Sequence, residues 1–169
     1  MKKTFVFLLG AAAIIVGAAA LTDFGGARAD TTAMKTSVAG PATGFTLHID
    51  ALRHFPNHPD EVAHHWCKAV DGMSECQIYD SDGPKARLVE IEMIVPTAIW
   101  KTFPADEQKL WHYHRVEIPK VDAKLPGMSP ADAAKVVASM LETYGKVYQI
   151  WDPMSSKEPT GQPKVNILH

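Results

Sequence analysis

The chain has 169 residues, 46% of them hydrophobic and 21% charged, with a formal net charge of −2. That length allows one domain with a real core. A slightly acidic balance with no Lys/Arg cluster excludes a nucleic-acid surface and gives no reason for strong attraction to anionic lipid headgroups.

Lys2 and Lys3 precede an uncharged run from Thr4 to Thr22, and Ala27-Arg28-Ala29 then places small residues around a cleavage point before Asp30. This is the composition of a secretory signal peptide, residues 1–29, cleaved after Ala29. A transmembrane anchor is the competing reading, because the run approaches the length of a bilayer span, but its Ala and Gly content lowers its hydrophobicity. Cleavage leaves no integral membrane span. It leaves 14 basic and 18 acidic residues, a net charge of −4, since Lys2, Lys3, Arg28 and Asp23 depart with the leader. The destination is an oxidising compartment, the periplasm in a Gram-negative source, where the chain's two cysteines suit one disulfide. Residues 30–44 are small and polar and read as a flexible lead-in to a single domain over 45–169.

Phe45 to Leu52 suits a short strand or docking segment, with His48 at the surface or satisfied. Arg53 to Asp60 holds two prolines and reads as a loop whose His54 and His58 are solvated. Val62 to Tyr79 carries Asp71-Gly72 between two extended runs, the composition of a two-residue type I′ hairpin turn. In that register Val70 faces Met73, Lys68 faces Glu75, and Cys67 faces Cys76 on a non-hydrogen-bonded rung, where Cα atoms are about 4.5 Å apart. A cross-strand Cys67–Cys76 disulfide fits. A thiolate metal site completed by His65 and His112 or His114, or two reduced buried thiols, are the alternatives. His65, Cys67, Cys76 and Ile78 then share one face, and His64, Trp66, Gln77 and Tyr79 the other.

Asp80 to Pro84 is read as an Asp/Ser/Gly turn rather than a cation loop, because it lacks the EF-hand spacing. Arg87 to Val95 alternates as a strand, with Leu88, Glu90, Glu92 and Ile94 on one face and Glu90 expected at a solvated edge. Thr97–Phe103 forms a helical turn or two, and a second helix starts at Pro104 and runs to about Trp111. Residues 110–118 then read as a strand that turns His112, His114, Val116 and Ile118 inward. Ser129 caps a helix beginning at Pro130, with Val137, Met140, Leu141 and Tyr144 as its apolar stripe and Gly145 at the C′ position. Val147–Trp151 and Val165–Leu168 close the chain as strands. The expected architecture is α+β: an antiparallel meander of four to five strands with two or three helices packed on it.

His112-x-His114 on a strand sends two imidazoles to one side, so they can chelate one ion. With Glu92 and a further histidine, His65 or His64, they resemble the His/carboxylate sets that hold Zn, Fe or Mn. Buried histidines bonded to carbonyls are the plainer alternative for such a pair. No nucleophile elbow, glycine-rich phosphate loop or CxxC motif marks a catalytic residue. Trp66, Trp100, Trp111 and Trp151 read as core, or as contacts to an apolar small-molecule or lipid ligand.

Six strings occur in order: AHHWCK at 63–68, ECQIYDSD at 75–82, ARLVEIEMIV at 86–95, FPADEQKLWHYHRVEI at 103–118, YGKVYQIW at 144–151 and PTGQPKV at 159–165. Together they resemble the oil body-associated protein family, plant seed proteins with fungal and bacterial relatives grouped under a domain of unknown function. The resemblance covers about Phe45 to Val165. It implies an association with oil-body formation and stability in the plant members, and no established reaction or cofactor. His64, His65, Cys67, Cys76, Tyr79, Asp80, Asp82, Glu92, Trp111, His112 and His114 all lie in its motifs. Plant members work inside cells, where a lasting disulfide is disfavoured. A shared cysteine pair would there serve packing or metal binding. The resemblance leaves two readings: an exported metal-binding protein, and a non-catalytic lipid- or surface-associated module with structural histidines.

Overall fold

A computed structural model describes residues 40–168, so the expected signal peptide and most of the lead-in lie outside the described residues. The hairpin follows from its turn: Asp71 and Gly72 both take positive φ, 49° and 79°, the backbone that a type I′ turn requires. It joins β2 (Ala63–Val70) to β3 (Met73–Tyr79) in the expected register, with Lys68 opposite Glu75 and Cys67 opposite Cys76. The two cysteines are disulfide-bonded, with Cα atoms 4.1 Å apart. That pairing removes both the thiolate metal site and the reduced thiols from consideration.

β1 (Leu47–Ala51) adds to the free edge of β2, and β4 (Leu88–Pro96) to β3. Beyond β4 lies β6 (Thr143–Gln149), whose far edge is shared by β5 (His112–Tyr113) and β7 (Lys164–Asn166). All pairings are antiparallel, in the order β1-β2-β3-β4-β6-β5 with β7 beside β6. The α+β expectation holds, but the sheet has seven strands rather than four or five. Strands of two and three residues show too little alternation to be counted in advance. The outer edge of β1 is covered by the loop at Lys124, which exchanges two backbone hydrogen bonds of 2.8 Å with Asp50.

Among the described residues four α-helices accompany the sheet: α1 (Thr97–Trp100), α2 (Ala105–Gln108), α3 (His114–Glu117) and α4 (Pro130–Met140). Ser129 caps α4 as expected, its hydroxyl accepting the Asp132 amide at 3.2 Å. The helix ends earlier than expected, at Met140, where the Thr143 hydroxyl donates to the Met140 carbonyl at 2.7 Å. Gly145 is therefore not a helix terminator. It lies inside β6. Ala133, Val136, Val137 and Met140 of α4 pack on Ile49, Cys67, Cys76, Ile94 and Leu125. Each fully buried aliphatic chain in such a layer contributes about 1.5–3 kcal/mol. A second apolar cluster joins Phe55, Ala63, Ile78 and Val89. Among the described residues no helix is long and apolar enough to cross a membrane.

Candidate metal centre

The inner face of the sheet is not wholly apolar. His54, His65, Glu90, Glu92, His112, His114 and Glu117 are all buried there, each 8% exposed or less. Ionisable groups at that depth need partners, because burying an unpaired charge is costly. Here the partners are one another.

Glu92 is the hub. On β4 it sits between Cys76 of β3 and Val147 of β6, so its side chain rises from the middle of the sheet's inner face. Its Oε1 is 3.1 Å from His112 Nε2 and 3.2 Å from His114 Nε2. His112 Nε2 is also 3.0 Å from Glu117 Oε2. One ligand atom each from Glu92, His112 and His114 lies within 4.8 Å of the other two. Burial alone would push the Glu92 carboxyl upward, but its bonds to His112 and His114 hold it well below the usual carboxylate range. Burial likewise opposes a charged His112. The bonds to Glu117 and Glu92 outweigh it and raise that imidazole to about 10. Glu117 is held down chiefly by the same His112 bond, against desolvation.

The pair reaches Glu92 by a route different from the expected one. Only His112 and Tyr113 are strand, and the chain turns into α3 at His114. Val116, expected inside, is 53% exposed. Glu117, expected outside, is buried, because on a helical turn the residue three positions after His114 returns to the same side. A sequence that alternates H-x-H also satisfies this strand-then-helix geometry, so alternation alone could not separate the two.

The outer groups fix the rings. His114 Nδ1 is 2.7 Å from the Thr143 hydroxyl, whose single proton goes to the Met140 carbonyl. The hydroxyl must therefore accept from His114 Nδ1–H, which turns Nε2 toward Glu92. His65 donates Nδ1–H to the Ala63 carbonyl at 3.0 Å, leaving Nε2 3.9 Å from Glu92 Oε2. Burial, with the neighbouring His54, lowers His65 to about 4, so it is a neutral imidazole with a free lone pair. His112 Nδ1 is buried with no hydrogen-bond partner among the described residues.

Gly145 supplies the room. It is paired with His112 across β5 and β6, and a Cβ built on it would lie 2.6 Å from His112 Cε1 and Nε2 and overlap Glu92 Oε1. No side chain fits at this position while His112 and Glu92 hold their places.

Glu90, His54 and His64 depart from expectation. Glu90 is fully buried rather than solvated, its Oε2 2.8 Å from His54 Nε2 and its Oε1 accepting from Asn166 at 2.6 Å. His54 is buried in consequence. Desolvation opposes its charge, but the Glu90 bond raises it. The four tryptophans are all half-buried, and none belongs to either apolar cluster. His64, adjacent to His65 in sequence, points to the opposite face of the sheet and takes no part in this cluster. Glu117, His54, Thr143 and Gly145 were not singled out as site residues from sequence. Each acts through a fold-level neighbour; Glu117 and Gly145 lie within the strings at 103–118 and 144–151, but nothing local marks them as site residues.

A cavity of about 40 Å³ opens beside the cluster, walled by Ile49, Ile94, Val137 and Met140 and floored by His65, Glu92 and His114. It has room for an ion with a water molecule or so, not for an acyl chain.

One protein-family model, described as a protein of unknown function (DUF1264), matches residues 39–168. Among curated proteins, the chain is 34% identical over 143 residues to oil body-associated protein 1B of Arabidopsis thaliana, covering 80% of this chain and 58% of that one. It is 33% identical over 108 residues to oil body-associated protein 2B of Zea mays, covering 63% and 43% respectively. The chain thus spans about half the length of the curated relatives it matches. No solved structure matches it.

Proposed function

The chain belongs to the DUF1264 family of proteins of unknown function, and from its own residues we propose that it binds one transition-metal ion at Glu92, His112 and His114. The observation that carries this reading is the convergence of two imidazole Nε2 atoms on one carboxylate oxygen, with the His114 Nδ1 proton already committed to Thr143. With its Nδ1–H engaged by Thr143, His114 turns Nε2 to Glu92 at 3.2 Å, where a cation can take the place of a proton between them. Ligands about 2.0–2.2 Å from an ion and at roughly right angles lie about 3 Å apart, close to the separations here.

Charge balance points the same way. The buried belt holds the carboxyls of Glu90, Glu92 and Glu117, with His54 as the cation paired to Glu90. A divalent ion that replaces the His112 proton neutralises the remaining two carboxylates. Two imidazoles and a carboxylate suit Zn, Fe or Mn rather than Mg or Ca. The neutral His65 and Glu117 are the further donors within reach, and the cavity leaves positions for water or a small ligand. The ion supplies Lewis acidity, while Thr143 and Gly145 hold the ligand rings in place.

We place this site in an exported protein, supported by the leader composition of residues 1–29 and by the disulfide. A lipid-surface role is the second reading, favoured by the relatives' names and by the half-buried tryptophans Trp66, Trp100, Trp111 and Trp151.

Elemental analysis of untagged mature protein, beside a His112→Ala/His114→Ala variant, tests the first reading. The variant should lose one equivalent of metal. A variant that is merely less stable, with the metal content of the wild type, refutes it. Co-purified lipid retained by the variant would then support the second.

A further inference from the structure

We propose that the opposite face of the sheet carries a second, solvent-accessible cation site made by His48, Asp50, His64 and Asp82, selective for Zn²⁺-class ions. The neighbouring histidines His64 and His65 alternate in β2, so one serves each face of the same strand.

Four donors converge. His64 Nδ1 is 2.7 Å from Asp50 Oδ1 and 3.1 Å from Asp82 Oδ2. His48 Nε2 is 3.0 Å from the same Asp50 oxygen and 3.1 Å from Asp82 Oδ1. One ligand atom from each residue lies within 4.8 Å of all the others. The 2.7 Å contact is a His64–Asp50 hydrogen bond, and shifts of under about 1 Å bring donors so placed to the ~3.4 Å spacing of a tetrahedral ion with bonds of about 2.0–2.2 Å.

A second observation separates the cluster from an ordinary surface ion-pair network. His48 Nε2 is shut off from solvent, yet it makes no hydrogen bond among the described residues, although two carboxylates lie about 3 Å away. The oxygens lie off its hydrogen-bonding direction, so they share its neighbourhood without sharing its proton. A ring nitrogen so placed suits a ligand to an ion held by the two carboxylates.

The donors are also held in position. The His48 ring stacks on Trp66 with centroids 4.4 Å apart and planes 6° from parallel. Asp50 and His64 are directly opposite in the β1–β2 register. Asp82 arrives from a loop anchored at Asp80, which accepts both the backbone amide and the Nε of Arg87, at 2.8 and 2.6 Å. Side-chain exposure rises from 12% at His48 to 41% at Asp82, so the site opens on the Asp82 side. There an open groove lined by Phe45, Trp66 and Tyr79 leaves a coordination position for water or an external ligand. Two imidazoles among the donors disfavour Ca²⁺ and Mg²⁺, which prefer all-oxygen shells.

The test uses the mature chain without an affinity tag, stripped by chelator and followed by equilibrium dialysis against Zn²⁺, with Ca²⁺ and Mg²⁺ in parallel. The His112→Ala/His114→Ala variant should still bind one Zn²⁺, and adding His48→Ala/His64→Ala should abolish it. Asp82→Asn in the wild-type background, a near-isosteric change on a loop, should remove one equivalent or weaken it at least tenfold while leaving the urea midpoint unmoved. This arm stands if the quadruple variant does not fold. Should the buried site bind nothing, wild type binds one ion and Asp82→Asn loses it, so the two readings fail separately. Full retention of Zn²⁺ in Asp82→Asn, or equal competition by Ca²⁺, overturns the proposal.

Discussion

Replacing Gly145 by alanine probes the buried centre without removing a single ligand. The added Cβ would lie 2.6 Å from two His112 ring atoms and inside the space of Glu92 Oε1. Glu92 can swing aside, but only by leaving the two imidazoles, and the His112 ring is fixed opposite Gly145 by strand pairing. Overpacking of this kind costs about 1–3 kcal/mol. Alanine recovers roughly 0.5–1 kcal/mol in a strand by limiting the unfolded backbone. The net loss is therefore up to about 2.5 kcal/mol, or up to about 10 °C in Tm at roughly 4 °C per kcal/mol for a domain of this size. Metal affinity should fall at least about tenfold, since the ligands lose their common focus. Urea unfolding and metal content are measured together, with Gly83→Ala as the control, because a Cβ there meets nothing within 4 Å. If Gly145→Ala retains wild-type metal content and midpoint, the close packing of His112 and Glu92 over this glycine is not what builds the centre, and the argument fails.

Three further predictions follow from the same geometry. Thr143→Val removes the acceptor that orients His114 and should weaken metal binding about 10–100-fold with all ligands intact, read by competition with a chromogenic chelator. Reducing Cys67–Cys76, which closes a loop of sequence separation 9, should lower stability by about 2–3 kcal/mol, seen as a lower urea midpoint. The metal-free protein should be most stable near pH 6.5. Below that pH, His65, lowered to about 4, and the depressed Glu92 and Glu117 bind protons more readily unfolded than folded, so stability falls as pH falls. Above it, His112, raised to about 10, and the raised His54 hold protons more tightly when folded, so stability falls as pH rises. Chemical denaturation across pH 4–10 checks the sign on each side, and a monotonic rise with pH would contradict it.

The hairpin, its register and its disulfide were legible because all the determinants are local: an Asp71-Gly72 turn and two cysteines equidistant from it. The same holds for the start of α4, where Ser129 and Pro130 are adjacent. The buried His/Glu cluster was legible in three of its members but not in its construction. His112, His114 and Glu92 announce themselves by residue type and spacing, whereas Gly145 and Thr143 matter only because β6 lies between β4 and β5, a pairing that spans 50 residues of chain between Glu92 and Thr143. Gly145 illustrates the cost of local reading. A glycine shortly after a helical pattern satisfies the rule for helix ends, yet here the absence of a side chain serves an approach of Glu92 and His112 from two other strands. Glu90 was misjudged for the converse reason: a carboxylate on a strand is solvated unless the fold delivers a cation, and His54 comes from a proline-rich loop with no periodicity to betray it. The adjacent pair His64-His65 carries the argument furthest. Read as a motif, it suggests one site with two ligands. Read with the period-two geometry of β2, it divides them, so the parity of a single strand assigns one histidine to each of the two His/carboxylate clusters.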